Sequence, residues 1–568
     1  MKIRWTVTMA AWMLLLTCTA CTQTQQTQTT VVTFSETNAQ VSGAEQGCTV
    51  NGTDIAITAA GVYQLEGNAS EGTVTVEEDV QGVTLVLSGL TLQSSSSAPI
   101  VLEKDSQVTL EVAQGTENTL INEEDVTNVD AEGAAIKVKS GAGLLLTGSG
   151  VLNCEGLCKN GIKGAAQTTL TVDGPTLTID SVTNGLAADG TVQILSGTLT
   201  IRSGEDGITA GEELSISGGT FDIQTGQGHE ELADETVSAK CLKSDALLSV
   251  TGGSFILNSA EDTIHASEVQ LEAGTFTLAA ADDAVHADYA LTIGAVGGEG
   301  PDISISTSYE GLEGAQVYLN GGTVELYATD DGINAAGDDA GDAGFLIEIT
   351  GGNYSVNADG DGLDSNGTIT MTDGTMLVYG APNGANSALD YETSCSWEGG
   401  TLLAVGTAGM AQTPTGLCVV FGEEAGTGRG SRGGRAGQDM QSGELDTTQV
   451  PPEMPQGGAP QGQMPEQTVQ QDMEESDDVP RGGVQMEELS NALLQEGTAF
   501  SIQDASGNVI FEGEGVKQAN HIILACAQLT EGQTYSLVVD GQTVATAQAQ
   551  QVQGTGGFAG AGMTAPVQ

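Results

Sequence analysis

Basic residues are scarce. The 568-residue chain carries 15 Lys and Arg against 76 Asp and Glu, a formal charge of −61. Such a surface repels nucleic acid and anionic membranes and attracts cations. Nucleic acid is excluded as a partner, and an acidic polymer can bind only through local basic residues or bridging metal ions. Aromatics are also few, at 4%, while glycine numbers 80. Little aromatic volume and much glycine exclude a large globular enzyme core and suit a thin core with many tight turns. Cysteine is scattered, at 18, 21, 48, 154, 158, 241, 395, 418 and 526. Setting aside Cys18 and Cys21 with the leader leaves an odd, dispersed set that is no disulfide framework, although Cys154 and Cys158 are near enough in sequence to pair. Paired CxxC motifs, His/Cys zinc spacings, GxSxG, Walker and Rossmann phrases in a supporting context, and helical periodicity are all missing.

What is present begins with an export signal. Lys2 and Arg4 precede an apolar stretch, residues 5–16, too short to span a bilayer. A small residue, Ala20, then precedes Cys21, which is the expected lipidation site of a bacterial lipoprotein signal; plain signal-peptidase cleavage is the alternative. The resulting division is a lipoprotein signal peptide at 1–21, a flexible tether at 22–47, a strand-rich domain at 48–425, a disordered Pro/Gln/Gly-rich insertion at 426–485, a C-terminal β cap at 486–550 and a flexible tail at 551–568. A membrane contact is expected only through the N-terminal lipid, and the localisation is secreted and lipid-anchored at the bacterial cell surface.

The strand-rich domain is periodic. Residues 308–366 contain SYEGLEG, TDDGINA and GDGLDSNG, each with an acid and a glycine leading into one aliphatic residue. Ten such anchors follow one another: Ile162, Leu186, Ile208, Leu242, Ile264, Val285, Leu312, Ile333, Leu363 and Leu389. Their spacing has a floor near 21–22 residues, with larger intervals where loops are inserted. A second series drifts with the first: Gly148, Gly174, Gly197, Gly219, Gly253, Gly274, Gly322, Gly352, Gly374 and Gly400. Most of these glycines precede a strand such as TFDIQ, SFILN or TFTLA. A repeat of about 22 residues with two or three short strands, lacking the leucine-rich signature, predicts an all-β, parallel β-helix (β-solenoid) of roughly ten or more coils. Residues 48–122 are expected to start and cap it, because terminal repeats need a distinct outer face.

Stacking turns a repeated position into a column with rungs about 4.7–4.9 Å apart. Two residues before the anchors stand Asn160, Asn184, Asp206, Lys240, Asp262, Asp283, Glu310, Asp331, Asp361 and Ser387. Either these side chains accept backbone N–H groups in turns, or they bind cations. The pairs Glu205-Asp206, Glu261-Asp262 and Asp282-Asp283 crowd charge where Asn would turn the chain equally well. A divalent cation relieves that repulsion, and calcium accepts six to eight oxygens at about 2.3–2.6 Å. The candidate calcium ligands are therefore Glu205, Asp206, Glu261, Asp262, Asp282, Asp283, Asp331, Asp361 and Asp364. One residue after the anchors, Lys243, His265 and His286 occupy successive repeats and form a candidate substrate-binding stripe, or bland surface. A uronate lyase would need calcium and a basic residue, for which Lys243 and Lys163 are the candidates. A glycosidase needs two opposed carboxylates, and among so many acids no pair stands out.

The phrases TLVLSGLTL, DDAVHAD, SYEGLEGAQVYLNGGTV, DDGINAAG, NADGDGLDSNGTITMTDGT and GTLLAVGTAGMAQTP, in this order, resemble bacterial secreted carbohydrate-binding domain-containing lipoproteins with a pectate-lyase-like, right-handed parallel β-helix. The resemblance implies a calcium-containing helix that binds plant polysaccharides, including acidic pectin-type polymers, without established lyase activity. It carries metal binding onto Asp206, Asp262, Asp283, Asp331, Asp361 and Asp364. KNGIKG, AKCLKSD and the Pro/Gln/Met insertion depart from the family pattern and leave ligand preference open. The expectation is a monomeric surface-anchored protein binding a pectin- or cellulose-type polysaccharide, with a calcium-dependent uronate lyase or a non-catalytic adhesin or scaffold as alternatives.

Overall fold

The computed structural model describes residues 29–553 apart from 44–46, 126, 128–131, 235, 298, 338–340, 342–343, 423–488 and 490. The signal peptide with Cys21, the whole of the 426–485 insertion and most of the tail lie outside the described residues.

Alternating apolar and polar residues favour strands, and strands are what form. Among the described residues there are 44 strands and no α-helix. Forty of them join one sheet network. Its rule is parallel pairing with the equivalent strand one repeat later. Thus Ile136 pairs with Ile162, Ile162 with Leu186, Leu186 with Ile208 and Ile208 with Leu242. The series continues through Ile264, Val285, Leu312, Ile333, Leu363 and Leu389. The ten anchors therefore stand in one column, and all are buried. A single apolar core runs beneath them, from Val32 near the start of the chain to Ala525 near its end.

The ten turn glycines share the left-handed region, with φ from +77° at Gly400 to +130° at Gly197. At Gly148 the requirement is double. Its φ is +100°, and a Cβ there would lie 2.2 Å from the carbonyl oxygen of Val112 on the rung below. The strand that follows each turn sends alternate residues inward, the first of them large in the middle of the array. These large residues are Phe221, Phe255 and Phe276, paired in register and stacked with centroids 4.5 Å apart.

The N-terminal boundary differs from expectation. Residues 48–122 already belong to the parallel stack: Ile55 pairs with Val74, Val74 with Ile100 and Ile100 with Ile136. The N-terminal cover lies further upstream, in residues assigned to the tether. There Thr30–Ser35 and Asn38–Gly43 form an antiparallel hairpin, and the first strand pairs in parallel with Gly61–Ala69. The alternation of VVTF is a strand signal that the polar tract before it obscured. At the other end His521–Ala525 pairs antiparallel with both Thr401–Gly406 and Gly416–Gly422, so the direction of pairing reverses and the parallel ladder stops. Ala499–Gln503, Val509–Glu514, Thr534–Val539 and Gln542–Gln548 make a separate four-stranded sheet over a second apolar cluster. Lys517 ties this end back to the array through Asp359, at 2.7 Å. Cys154 and Cys158 are both buried free thiols, so the local disulfide does not form.

Candidate metal and ligand face

The strand register aligns the residues after the anchors in one column: Lys163, Ala187, Thr209, Lys243, His265, His286, Glu313, Asn334, Asp364 and Asp390. Alongside it runs the column of turn residues, and the turn carboxylates have a structural task. Asp206 Oδ1 accepts the backbone N–H of Lys240, Asp262 Oδ1 that of Asp283, Asp283 Oδ1 that of Glu310 and Asp331 Oδ1 that of Asp361. Each bond crosses to the next rung rather than closing a turn within its own. One carboxylate oxygen is thereby committed, and the second decides what else the site can do.

The second oxygens fall into two regimes. In the first, lysine answers them. Asp206 Oδ2 lies 3.5 Å from Lys243 Nζ, and Ser238 donates to Asp206 Oδ1. Lys240, only 6% exposed, sits where most other rungs carry an acid or amide. It pairs with Glu261 and lies 3.0 Å from Asp262 Oδ2. Burial opposes charge on Asp262, but the His265 hydrogen bond and Lys240 outweigh it and hold the carboxyl down at about 2. Glu205, Asp206, Glu261 and Asp282, expected among the metal ligands, join no group of three close metal-ligating side chains among the described residues. The insertion before Lys240 explains part of this, because it delivers a cation into the acidic column.

In the second regime no lysine intervenes. His286 Nδ1 lies 3.1 Å from both Asp283 Oδ2 and Glu313 Oε2. Burial disfavours the charged imidazole, but Asp283 and Glu313 overcome it and lift His286 to about 9. Burial, then Glu313 and Asp283, push Glu310 up to about 9. Further along, Asp331, Asp361 and Asp364 bring a carboxylate oxygen each to within 4.8 Å of one another. Burial first, then neighbouring acids, raises Asp331 to about 6 and Asp361 to about 7.

The stripe Lys243, His265 and His286 is contiguous as expected, and the two rings lie 4.7 Å apart. It is not a free cationic surface. His265 faces Asp262 at 2.8 Å and Asp288 at 3.3 Å, and Lys243 faces Asp206 and Ser238. Lys163 pairs with Asp189. It stands five rungs from His286 in the column, about 24 Å at the spacing of β strands. Lys243 is likewise five rungs from Asp364. Neither lysine therefore stands beside the Asp331, Asp361 and Asp364 group, as a uronate lyase would require.

Sequence reasoning missed Asn334 and Glu313 as functional positions. Asn334 is 6% exposed; its Nδ2 donates to Glu310 Oε2, while its Oδ1 has no hydrogen-bond partner. An orphaned amide oxygen costs about 1–3 kcal/mol unless something outside the protein answers it. Its place in the register, between Glu313 and Asp364, was the signal available. A separate shallow groove of about 330 Å³ crosses the early rungs, lined by Thr84, Gln107, Thr109, Leu145 and Thr171 among others. It carries no charged side chain and lies apart from the acidic column.

These shifts set the pH response of chelated protein. Raised carboxyls stabilise the fold fully below their unfolded values near 4, and lose that contribution as pH rises through about 6 for Asp331, 7 for Asp361 and 9 for Glu310. His286 acts with the same sign, present below about 6.5 and lost as pH passes about 9. Asp262 has the opposite sign, but its contribution is lost only as pH falls through about 2. In EDTA the free energy of unfolding should therefore fall from pH 5 to pH 9, by an amount on the order of 2 kcal/mol after solvent screening, and the melting temperature should fall with it. A scanning-calorimetry profile that is flat or rises over this range would contradict the burial of these acids.

A family model described as carbohydrate-binding domain-containing protein matches residues 51–189, 166–284 and 285–413, together more than half of the chain. Among solved structures, the polysaccharide lyase-like protein from C. thermocellum, as a gadolinium derivative, is 21% identical with a TM-score of 0.32, over 52% of this chain and 94% of that one. No curated protein matches the chain.

Proposed function

Because the chain belongs to the carbohydrate-binding domain-containing protein family, we propose that it is a lipid-anchored cell-surface receptor that uses calcium to bind acidic, pectin-type polysaccharide. The stacked parallel strands would wind as a right-handed β-helix of roughly ten coils, with Cys21 as the lipid attachment point. The observation that carries the reading is the all-oxygen group Asp331, Asp361 and Asp364, whose carboxylate oxygens lie within 4.8 Å of one another. Carboxylate oxygens are donors calcium prefers, and three of them leave positions open for glycan oxygens. A polyanionic protein meets a polyuronate against strong repulsion. A cation that accepts ligands from both sides removes that barrier, and the hydroxyls beside a sugar carboxylate add specificity. Catalysis has no supporting observation, because Lys163 and Lys243 are ion-paired and distant from this group.

The test is a glycan array probed with and without EDTA, followed by calorimetry on polygalacturonate with wild type and Asp361→Asn. Binding should vanish in EDTA, return with calcium and weaken at least tenfold in Asp361→Asn. Binding that ignores EDTA would defeat the proposal, and new ultraviolet absorbance from unsaturated uronates would replace it with a lyase.

A further inference from the structure

The Asp283, His286 and Glu313 group differs in chemistry from the all-oxygen group. We propose that Asp283 Oδ2, His286 Nδ1 and Glu313 Oε2 form a second metal centre, selective for a zinc-class divalent ion rather than calcium.

Three observations carry this. The first is the donor set. One imidazole nitrogen with two carboxylates is a borderline mixture that suits zinc and its first-row neighbours, whereas calcium takes oxygen almost alone. The second is distance. Both oxygens lie 3.1 Å from the same nitrogen. Zinc bonds of about 2.0–2.1 Å place tetrahedral ligands roughly 3.3 Å apart, so the two nitrogen–oxygen edges are already close to that spacing, and all three donor atoms lie within 4.8 Å of one another. A single Nδ1–H can point at only one of the two carboxylates, while an ion at that position meets all three donors. The third is charge. Asp283 is 6% exposed, and the carboxyl groups of Glu310 and Glu313 crowd the neighbouring rungs, with a single imidazole, His286, between Asp283 and Glu313. One rung earlier, Lys240 stands at 3.0 Å from Asp262 and opposes any metal there. The neighbouring group Asp262, His265 and His286 is thus the weaker site, although it shares a histidine.

The remaining bonds hold the ligands in place. Asp283 Oδ1 accepts the N–H of Glu310, which fixes that carboxylate and leaves Oδ2 for the ion. Backbone pairing fixes His286 against Glu313. The side chains of His286 and Glu313 keep 29% and 16% of their surface exposed, so an ion can enter and its fourth position faces solvent.

The experiment uses the full chain, stripped with chelator and dialysed into excess calcium. Cobalt(II) is added as a spectroscopic probe, and zinc is then titrated against a chromophoric chelator. One equivalent of cobalt should bind with the visible absorption of a nitrogen–oxygen tetrahedral site, despite the calcium, and zinc should displace it. His286→Gln and Glu313→Gln should each weaken zinc at least tenfold, while Asp361→Asn and His265→Gln leave it within about threefold. The far-ultraviolet circular dichroism and urea midpoint of metal-stripped His286→Gln should match wild type closely enough to show that the variant is folded. Cobalt displaced by equimolar calcium, or zinc affinity unchanged in His286→Gln, would overturn the proposal. Glycan binding is not the readout, so this site and the calcium-dependent receptor stand or fall separately.

Discussion

Phe255→Ala should lower the free energy of unfolding by about 3–5 kcal/mol. Phe255 is 1% exposed and is the middle ring of three, stacked on Phe221 at 6° and on Phe276 at 4°. Truncation removes its buried area and both ring contacts, each worth about 0.5–1.5 kcal/mol. The cavity cannot close. Backbone ladders above and below hold the rungs at about 4.8 Å, and the two remaining rings are separated by the missing one. Because each rung touches mainly its neighbours, the damage should be local. Urea denaturation gives the total, and hydrogen exchange should show protection lost first over residues 220–280. A cost below about 1 kcal/mol would mean that the rungs slide together and that the stack is less rigid than its register implies.

Lys240→Met is the second large effect, with an expected loss of about 3–5 kcal/mol. Methionine keeps the length of the stem, so packing changes little and the charge is what is removed. Burial disfavours the ammonium, but Asp262 and Glu261 outweigh it and hold its proton more tightly than usual. Without it, Asp262 at 3% exposure and the adjacent Glu261 face each other with no lysine between them, and Asp262 keeps only its contact with the His265 ring. Adding Glu261→Gln should recover part of the loss. A double-mutant cycle by chemical denaturation at pH 7 measures that coupling, and strict additivity would show that Lys240 and Glu261 do not act as a pair.

Much of the architecture was written in local chemistry. The aliphatic anchors all turned inward in one register, and the ten repeated glycines all occupy the left-handed turn that no other residue takes easily. Both follow from in–out alternation and backbone sterics, which act within a few residues and need no knowledge of the rest of the chain. The cover formed by residues 30–43 was lost in a polar context, since a short VVTF signal is weak until a neighbouring strand accepts it.

The acids of DDGI and GDGLDS are where sequence alone stopped. It established that they stack, because their spacing follows the anchors. Which oxygens remain for a ligand was decided only by tertiary structure. Asp206 and Asp262 are answered by lysines that an insertion brings into their rungs, Asp283 shares His286 with Glu313, and Asp331 and Asp361 converge with Asp364. The physical reason is that a repeat fixes the column on which a side chain stands. Its charge state and partners depend on contacts between rungs 21–34 residues apart, where loop length and burial choose the neighbour.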